Sequence, residues 1–304
     1  MPLHNIPPVS ESVRKTANVK LVNSRDLYPS CHQPSDAGLP MLVAENEHGR
    51  LVIALQGAHI MAFQPKGKAE MLWVSPKTKL ESGQPIRGGI PLCSPWFGPA
   101  SEEKVMHGFI RNHEWSLTSA EILKCGATRL VLELSGESMS AIWPYAFHFW
   151  LEVIAGNELK LKLRVKNPNN TEVPLAFAFH TYFAVPDIAG VQVSGLDGCA
   201  YIDKADNMVR KEQSGDISFN AMTDRVYLDV GEEQSIIFEN GRTVIRSGAK
   251  SAVVWNAWDN DKNMPDLGEG NHKTYVCVER GDVADNAISL AAGDQYEIWM
   301  SLTN

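Results

Sequence analysis

The chain has 304 residues, 44% of them apolar and 21% charged, a composition that supports a full buried core and indicates neither disorder nor a fibrous repeat. Its formal net charge of −8 argues against a nucleic-acid or anionic-membrane partner, and any anionic ligand would need a local positive pocket. Five cysteines, Cys31, Cys93, Cys125, Cys199 and Cys277, form no CxxC pair and no finger spacing, so they read as reduced thiols of a cytoplasmic protein.

Residues 1–18 are polar and proline-containing, and read as a loosely docked N-terminal arm. They show no basic segment followed by an apolar one, and no apolar run approaches the ~20 residues of a membrane helix. Strand signals dominate thereafter. Residues 51–55 lead through Gln56-Gly57-Ala58 into 59–63, with 71–74 close behind, and the glycine suggests a bend between paired pieces. The stretch 86–99 differs in character: three prolines and three glycines forbid a regular helix or central strand there. It reads as a structured loop carrying Trp96 and Phe97, of the kind that more often serves function than connection. His107-Gly108-Phe109-Ile110-Arg111-Asn112-His113 closes it.

Residues 128–134 and 147–154 read as strands, Gly156-Asn157 as a turn, and 158–166 alternates without a fault. Leu159, Leu161, Leu163 and Val165 point one way, and Lys160, Lys162, Arg164 and Lys166 the other. The four cations are the wet face of a half-buried antiparallel strand rather than a binding patch. The most apolar run, 174–186, has a proline at each end and a single imidazole, His180, and reads as a strand. Further short strands follow around 191–194, 235–239, 242–246, 251–255, 275–279, 287–290 and 295–302, and no amphipathic helix exceeds two turns. The expectation is an all-β fold, a large antiparallel β-sandwich forming a single domain over 19–304.

Nine histidines raise the question of a metal, yet no zinc-type spacing occurs, and neither a nucleophile elbow nor a dinucleotide fingerprint is present. What remains is a set of polar residues in apolar surroundings: Arg87, His107, Arg111, His180 and Glu279. Glu279 reads either as a strand-end carboxylate paired with Arg280 or as a base at a cleft. Spacing alone does not bring it to His180.

Several pieces occur in a fixed order: Arg87-Gly88-Gly89-Ile90-Pro91, Pro95-Trp96-Phe97-Gly98, His107-Gly108-Phe109-Ile110-Arg111-Asn112, Phe179-His180-Thr181-Tyr182-Phe183, Thr223-Asp224-Arg225-Val226-Tyr227 and Cys277-Val278-Glu279. The ordered set resembles the aldose 1-epimerase (galactose mutarotase-like) superfamily, and more closely its glucose-6-phosphate 1-epimerase branch. The resemblance implies a supersandwich with the sugar on a concave sheet face. It makes His180 the general acid and Glu279 the general base, with Asp224, His107, Arg87 and Arg111 around the ligand. Met106 stands where that branch has a glutamine. Such an enzyme interconverts the α and β anomers of a hexose 6-phosphate by ring opening and reclosure, with no cofactor and no metal. A carboxylate and an imidazolium on opposite sides of the ring would supply the proton transfers, the carboxylate keeping the imidazole charged near neutral pH. The arginines would receive a phosphate of about −1.5 to −2 charge. The expected partner is a small sugar phosphate, with no nucleic acid or membrane, and the protein a monomer or weak oligomer. Two alternatives stay open: the same mechanism on unphosphorylated aldoses, and a non-catalytic carbohydrate-binding or sensing protein.

Overall fold

The faultless alternation of 158–166 forms strand Leu159–Lys166, with the four aliphatic side chains buried and the four cations on the wetter face. Its charges are met by neighbours: Lys162 and Arg164 reach Glu297 at 3.1 and 2.8 Å, and Lys160 reaches Glu158 at 2.7 Å. This strand lies in a nine-stranded antiparallel sheet. Across it run Ile217–Ser218, Gln192–Ser194, Glu233–Phe238, Gly241–Ser247, Gln295–Thr303, Leu159–Lys166, Ala146–Ala155, Thr128–Glu137 and Ser116–Ile122. The computed structural model describes residues 11–33, 35–100 and 105–304.

The second large sheet has eight strands. Its order is Val209–Glu212, Ala200–Asp203, Thr223–Tyr227, Ser251–Asn256, Tyr275–Asp282, Phe177–Phe179 and Leu92–Cys93, and Tyr182–Ala184 also pairs with Tyr275–Asp282. A four-stranded meander, Val19–Asn23 through His59–Pro65, and a two-stranded ladder of Val173–Leu175 with Ile288–Leu290 complete the described sheets. The fold is thus the antiparallel all-β sandwich expected, and its helices are short. Among the described residues no helix is long and apolar enough to cross a membrane.

One face of each large sheet builds the main core. Phe149, Leu151, Leu161, Leu163, Ile298 and Met300 from the nine-stranded sheet join Phe177, Phe179, Val254, Val276 and Val278 from the eight-stranded sheet in a single apolar cluster. Fully burying each such side chain contributes about 1.5–3 kcal/mol. The other face of the eight-stranded sheet packs against Phe97, Trp73, Met264 and Leu267, and every residue of Tyr275–Asp282 is buried. Two-sided burial explains why no polar alternation runs along that strand, and its charged residues Glu279, Arg280 and Asp282 are buried with the rest.

Of the expected N-terminal arm, 1–10 lie outside the described residues. Its remainder forms helix Glu11–Thr16, and Ala17 is buried in the main core beside Val19.

Candidate active site

The run 174–186 is not one strand. Pro174 lies in the two-stranded ladder, Phe177–Phe179 pairs with residues 280–282, and Tyr182–Ala184 pairs with residues 275–277. His180 and Thr181 occupy the break between two pieces that share the strand Tyr275–Asp282. Because Phe179 faces Arg280, one further step of the register brings His180 opposite Glu279. Side chains alternate along a strand, so Glu279 faces the covered side while Arg280 turns into the core. There the Arg280 guanidinium donates to the carbonyls of Glu232, Gly231 and Ala249 at 3.1, 3.2 and 2.6 Å, and to Gln234 Oε1. The pairing of Glu279 with Arg280 that the sequence left open is therefore absent.

His180 Nδ1 lies 3.3 Å from Glu279 Oε1. Imidazole and carboxylate thus stand side by side, and not on opposite sides of a sugar ring. The imidazole stacks on Tyr182, with centroids 4.9 Å apart and planes 3° from parallel, and its backbone N–H donates to the Pro91 carbonyl at 3.0 Å. His180 Nδ1 and Glu279 Oε2 are buried without a hydrogen-bond partner. Burial, helped by His107, Arg87 and Arg111, holds His180 well below the usual imidazole range. Burial and the charge of Asp224 push Glu279 well above the usual carboxylate range. In the ligand-free site the pair therefore favours its neutral form, contrary to the expected imidazolium. A neutral imidazole with a carboxylic acid holds as many protons as an imidazolium with a carboxylate, so one transfer within the pair interconverts the two.

The loop after 86 is held tightly enough to place its side chains. Gly89 has φ +62°, and a Cβ there would lie 2.2 Å from the Ile60 carbonyl oxygen; Gly108 has φ +69°, and its Cβ would lie 1.8 Å from the Ser94 oxygen. Only glycine fits either position. Between them, the peptide Ser94–Pro95 is cis. His107 stands edge-on to His180, centroids 5.4 Å apart, and its Nδ1 accepts from the Gly98 N–H at 3.3 Å. Burial and the nearby cations Arg111, Lys204 and Arg87 push His107 down to about 3, so it is a neutral hydrogen-bonding group.

All six residues singled out in the sequence line one cavity of 510 Å³: Arg87, His107, Arg111, His180, Asp224 and Glu279. Among the other lining residues, Lys204, Trp255 and Asp266 carry chemistry that the sequence does not single out. Trp255 was placed on a strand, but its side of the sheet becomes legible only from the register, which pairs Asp224 with Trp255 and Val253 with Glu279. Lys204 and Asp266 sit in loop-like segments with no periodicity to flag them.

The cations differ in their partners. Arg87 Nε donates to Asp266 Oδ2 at 2.9 Å, its second amino group lies 2.8 Å from the same oxygen, and its first donates to the Tyr182 hydroxyl at 3.0 Å. Lys204 Nζ lies 3.1 Å from Asp224 Oδ2. Arg111 donates to the Met106 carbonyl at 2.6 Å, its Nε is buried without a partner, and no carboxylate among the described residues pairs with it. Arg111 thus gives the cavity the local positive charge that a net charge of −8 otherwise denies an anion.

A family model described as aldose 1-epimerase matches residues 40–303. A protein from Escherichia coli strain K12, provisionally named glucose-6-phosphate 1-epimerase, is 36% identical over 248 residues, covering 79% of this chain and 82% of its own length. One of the same provisional name from Cenchrus ciliaris is 35% identical over 260 residues, covering 80% of this chain and 78% of its own. Among solved structures, a provisionally named mutarotase (YeaD) from Salmonella typhimurium superposes with a TM-score of 0.83 at 28% identity. That match covers 98% of this chain and 96% of the other.

Proposed function

The chain belongs to the aldose 1-epimerase family, and from that premise we propose that it is a glucose-6-phosphate 1-epimerase, interconverting the α and β anomers of a hexose 6-phosphate. The observation that carries the proposal is the contact of His180 with Glu279 at 3.3 Å on the wall of a cavity that also holds Arg111, which no carboxylate among the described residues pairs. To open a hemiacetal, O1 must lose a proton while the ring oxygen gains one, and both oxygens are bonded to C1. An acid and a base standing side by side suit that geometry better than a pair separated by the ring. In our reading Glu279 takes the O1 proton and His180 protonates the ring oxygen. C1 then turns about the C1–C2 bond, and the same groups reverse their roles as the ring closes on the other carbonyl face. Each group of this kind is worth about 10²–10⁴ in rate.

The remaining lining residues orient the sugar. The Asp224 carboxylate, held by Lys204, accepts from hydroxyls. Neutral His107 hydrogen-bonds near the ring, and Trp255 offers a flat apolar wall. Arg111 receives the phosphate through its guanidinium fork. The resident charge on Arg111 is among the causes that hold His180 neutral, so a dianion bound there relieves that repulsion and favours the imidazolium. Met106 offers Arg111 its backbone carbonyl, a contact that does not depend on the side chain at that position. We read 19–304 as one domain working in the cytoplasm, where a charged sugar phosphate is retained.

The test is α/β exchange of glucose 6-phosphate followed by NMR for the wild type, His180→Asn and Glu279→Gln. Loss of about 10²-fold or more in each variant is expected; exchange at the wild-type rate in either one refutes the assignment.

A further inference from the structure

We propose that His180, Cys277 and Glu279 form a three-ligand site for a thiophilic divalent cation, with Zn2+ the best fit, and that the bound ion shuts the enzyme off. The binding claim stands on geometry alone, whereas the inhibition rests on the proton-transfer roles proposed above.

The strand Tyr275–Asp282 puts Cys277 and Glu279 two residues apart, hence on one face, and the broken partner strand sets His180 beside them. One donor atom from each of the three lies within 4.8 Å of the others, and all three residues are buried. The 3.3 Å between His180 Nδ1 and Glu279 Oε1 matches the edge of a tetrahedron built from Zn–N of about 2.05 Å and Zn–O of about 2.0 Å, roughly 3.3 Å. Edges to sulfur should be about 3.5 Å, and a Cys277 donor within 4.8 Å of the other two stands close to that reach.

One of the donor atoms is also short of a partner. His180 Nδ1 is buried with no hydrogen-bond partner among the described residues, a state that is costly for a polar group. A cation at that edge satisfies the imidazole nitrogen. A thiolate and a carboxylate cancel a dication, so the buried complex has no net charge, which avoids the main penalty of placing an ion in a dry site. Binding releases the thiol proton and any proton on the carboxylate to solvent. Three protein ligands leave a fourth position facing the cavity. Sulfur among the donors selects Zn2+ over Mg2+ or Ca2+, which require oxygen. Because the metal occupies the lone pairs of His180 and Glu279, neither can then exchange protons with a sugar.

Co2+ added to the full-length protein is the spectroscopic probe. At one equivalent the wild type should show a thiolate-to-cobalt charge-transfer band in the near ultraviolet, which added Zn2+ removes. Cys277→Ser should lack the band, and Cys277→Ala serves as a second variant should a buried serine hydroxyl disturb the fold. In the exchange assay, with each variant normalised to its own metal-free rate, Zn2+ should inhibit the wild type and Mg2+ should not. The Zn2+ concentration for half-inhibition should rise more than about tenfold in Cys277→Ser. Absence of the band from the wild type, its persistence in both variants, equal Zn2+ sensitivity of all three proteins, or faster exchange with Zn2+ would overturn the proposal. Should the protein exchange no sugar at all, the functional reading fails while the cobalt band still decides the site.

Discussion

Two arginines line the cavity, and their surroundings predict that they are unequal. Arg87 is closed into an ion pair with Asp266 at 2.8 Å and a hydrogen bond to Tyr182, so an approaching phosphate meets a nearly neutral unit. Arg111 has a backbone carbonyl and no carboxylate among the described residues. Replacing Arg111 by Met keeps most of the apolar stem and removes the charge. A hydrogen bond to a charged group contributes about 1.5–3 kcal/mol net, and a guanidinium–phosphate pair that loses ~3 kcal/mol raises KM for glucose 6-phosphate by roughly a hundredfold. Arg87→Ala by itself is an ambiguous test, because it leaves the Asp266 carboxylate unpaired beside the anion. The informative variant is therefore the double change Arg87→Ala with Asp266→Ala, whose KM should stay within about fivefold of the wild type, since a paired unit is removed whole. Exchange on unphosphorylated glucose supplies the control. Loss of the Met106 contact loosens the loop for both sugars, whereas loss of the phosphate partner affects only one. Equal loss on glucose and glucose 6-phosphate in Arg111→Met, or a double variant as impaired as Arg111→Met, would refute the reasoning.

Three other expectations follow from the packing. Asp261 is buried, which raises its pKa, but the His272 ring and backbone N–H groups at 2.6 and 3.1 Å outweigh that and hold it below the ordinary carboxylate range. A depressed acid stabilises the fold above its unfolded pKa of about 3.9 and loses that contribution as the pH falls through the folded value. In urea unfolding, the gap between wild type and Asp261→Asn should hold from pH 7 to about 5 and narrow below about 4; a gap that widens in acid contradicts this. Gly108→Ala should abolish exchange while the sandwich survives, because its Cβ would lie 1.8 Å from the Ser94 oxygen in the loop that carries His107, and circular dichroism with the exchange assay separates the two effects. Leu161→Ala empties a fully packed position between the large sheets. It should cost about 2–5 kcal/mol by denaturant titration, while a loss under about 1 kcal/mol would mean that the core collapses to fill the space.

What the sequence disclosed follows from how many constraints act on each residue. Leu159–Lys166 is wet on one face, so its period of two survived into the sequence and its register followed. Tyr275–Asp282 is buried on both faces, and no alternation marks which side Glu279 takes. The run around His180 looked like one strand because its apolar residues are continuous; it is two, and the break is invisible to periodicity since both halves pair with the same neighbour. Lys204 and Asp266 carried no signal because a loop residue's chemistry depends on where the chain turns, not on spacing. The register stays in step across the break, and that is what places the site. The His180 backbone N–H donates to the Pro91 carbonyl, the rung that follows Phe179 opposite Leu92, so residue 180 is held on that side while Phe179 and Tyr182 are anchored on the other. Alternation then turns His180 to the same face as Tyr182 and Glu279, where it lines the cavity 3.3 Å from the only glutamate among the described residues that does so.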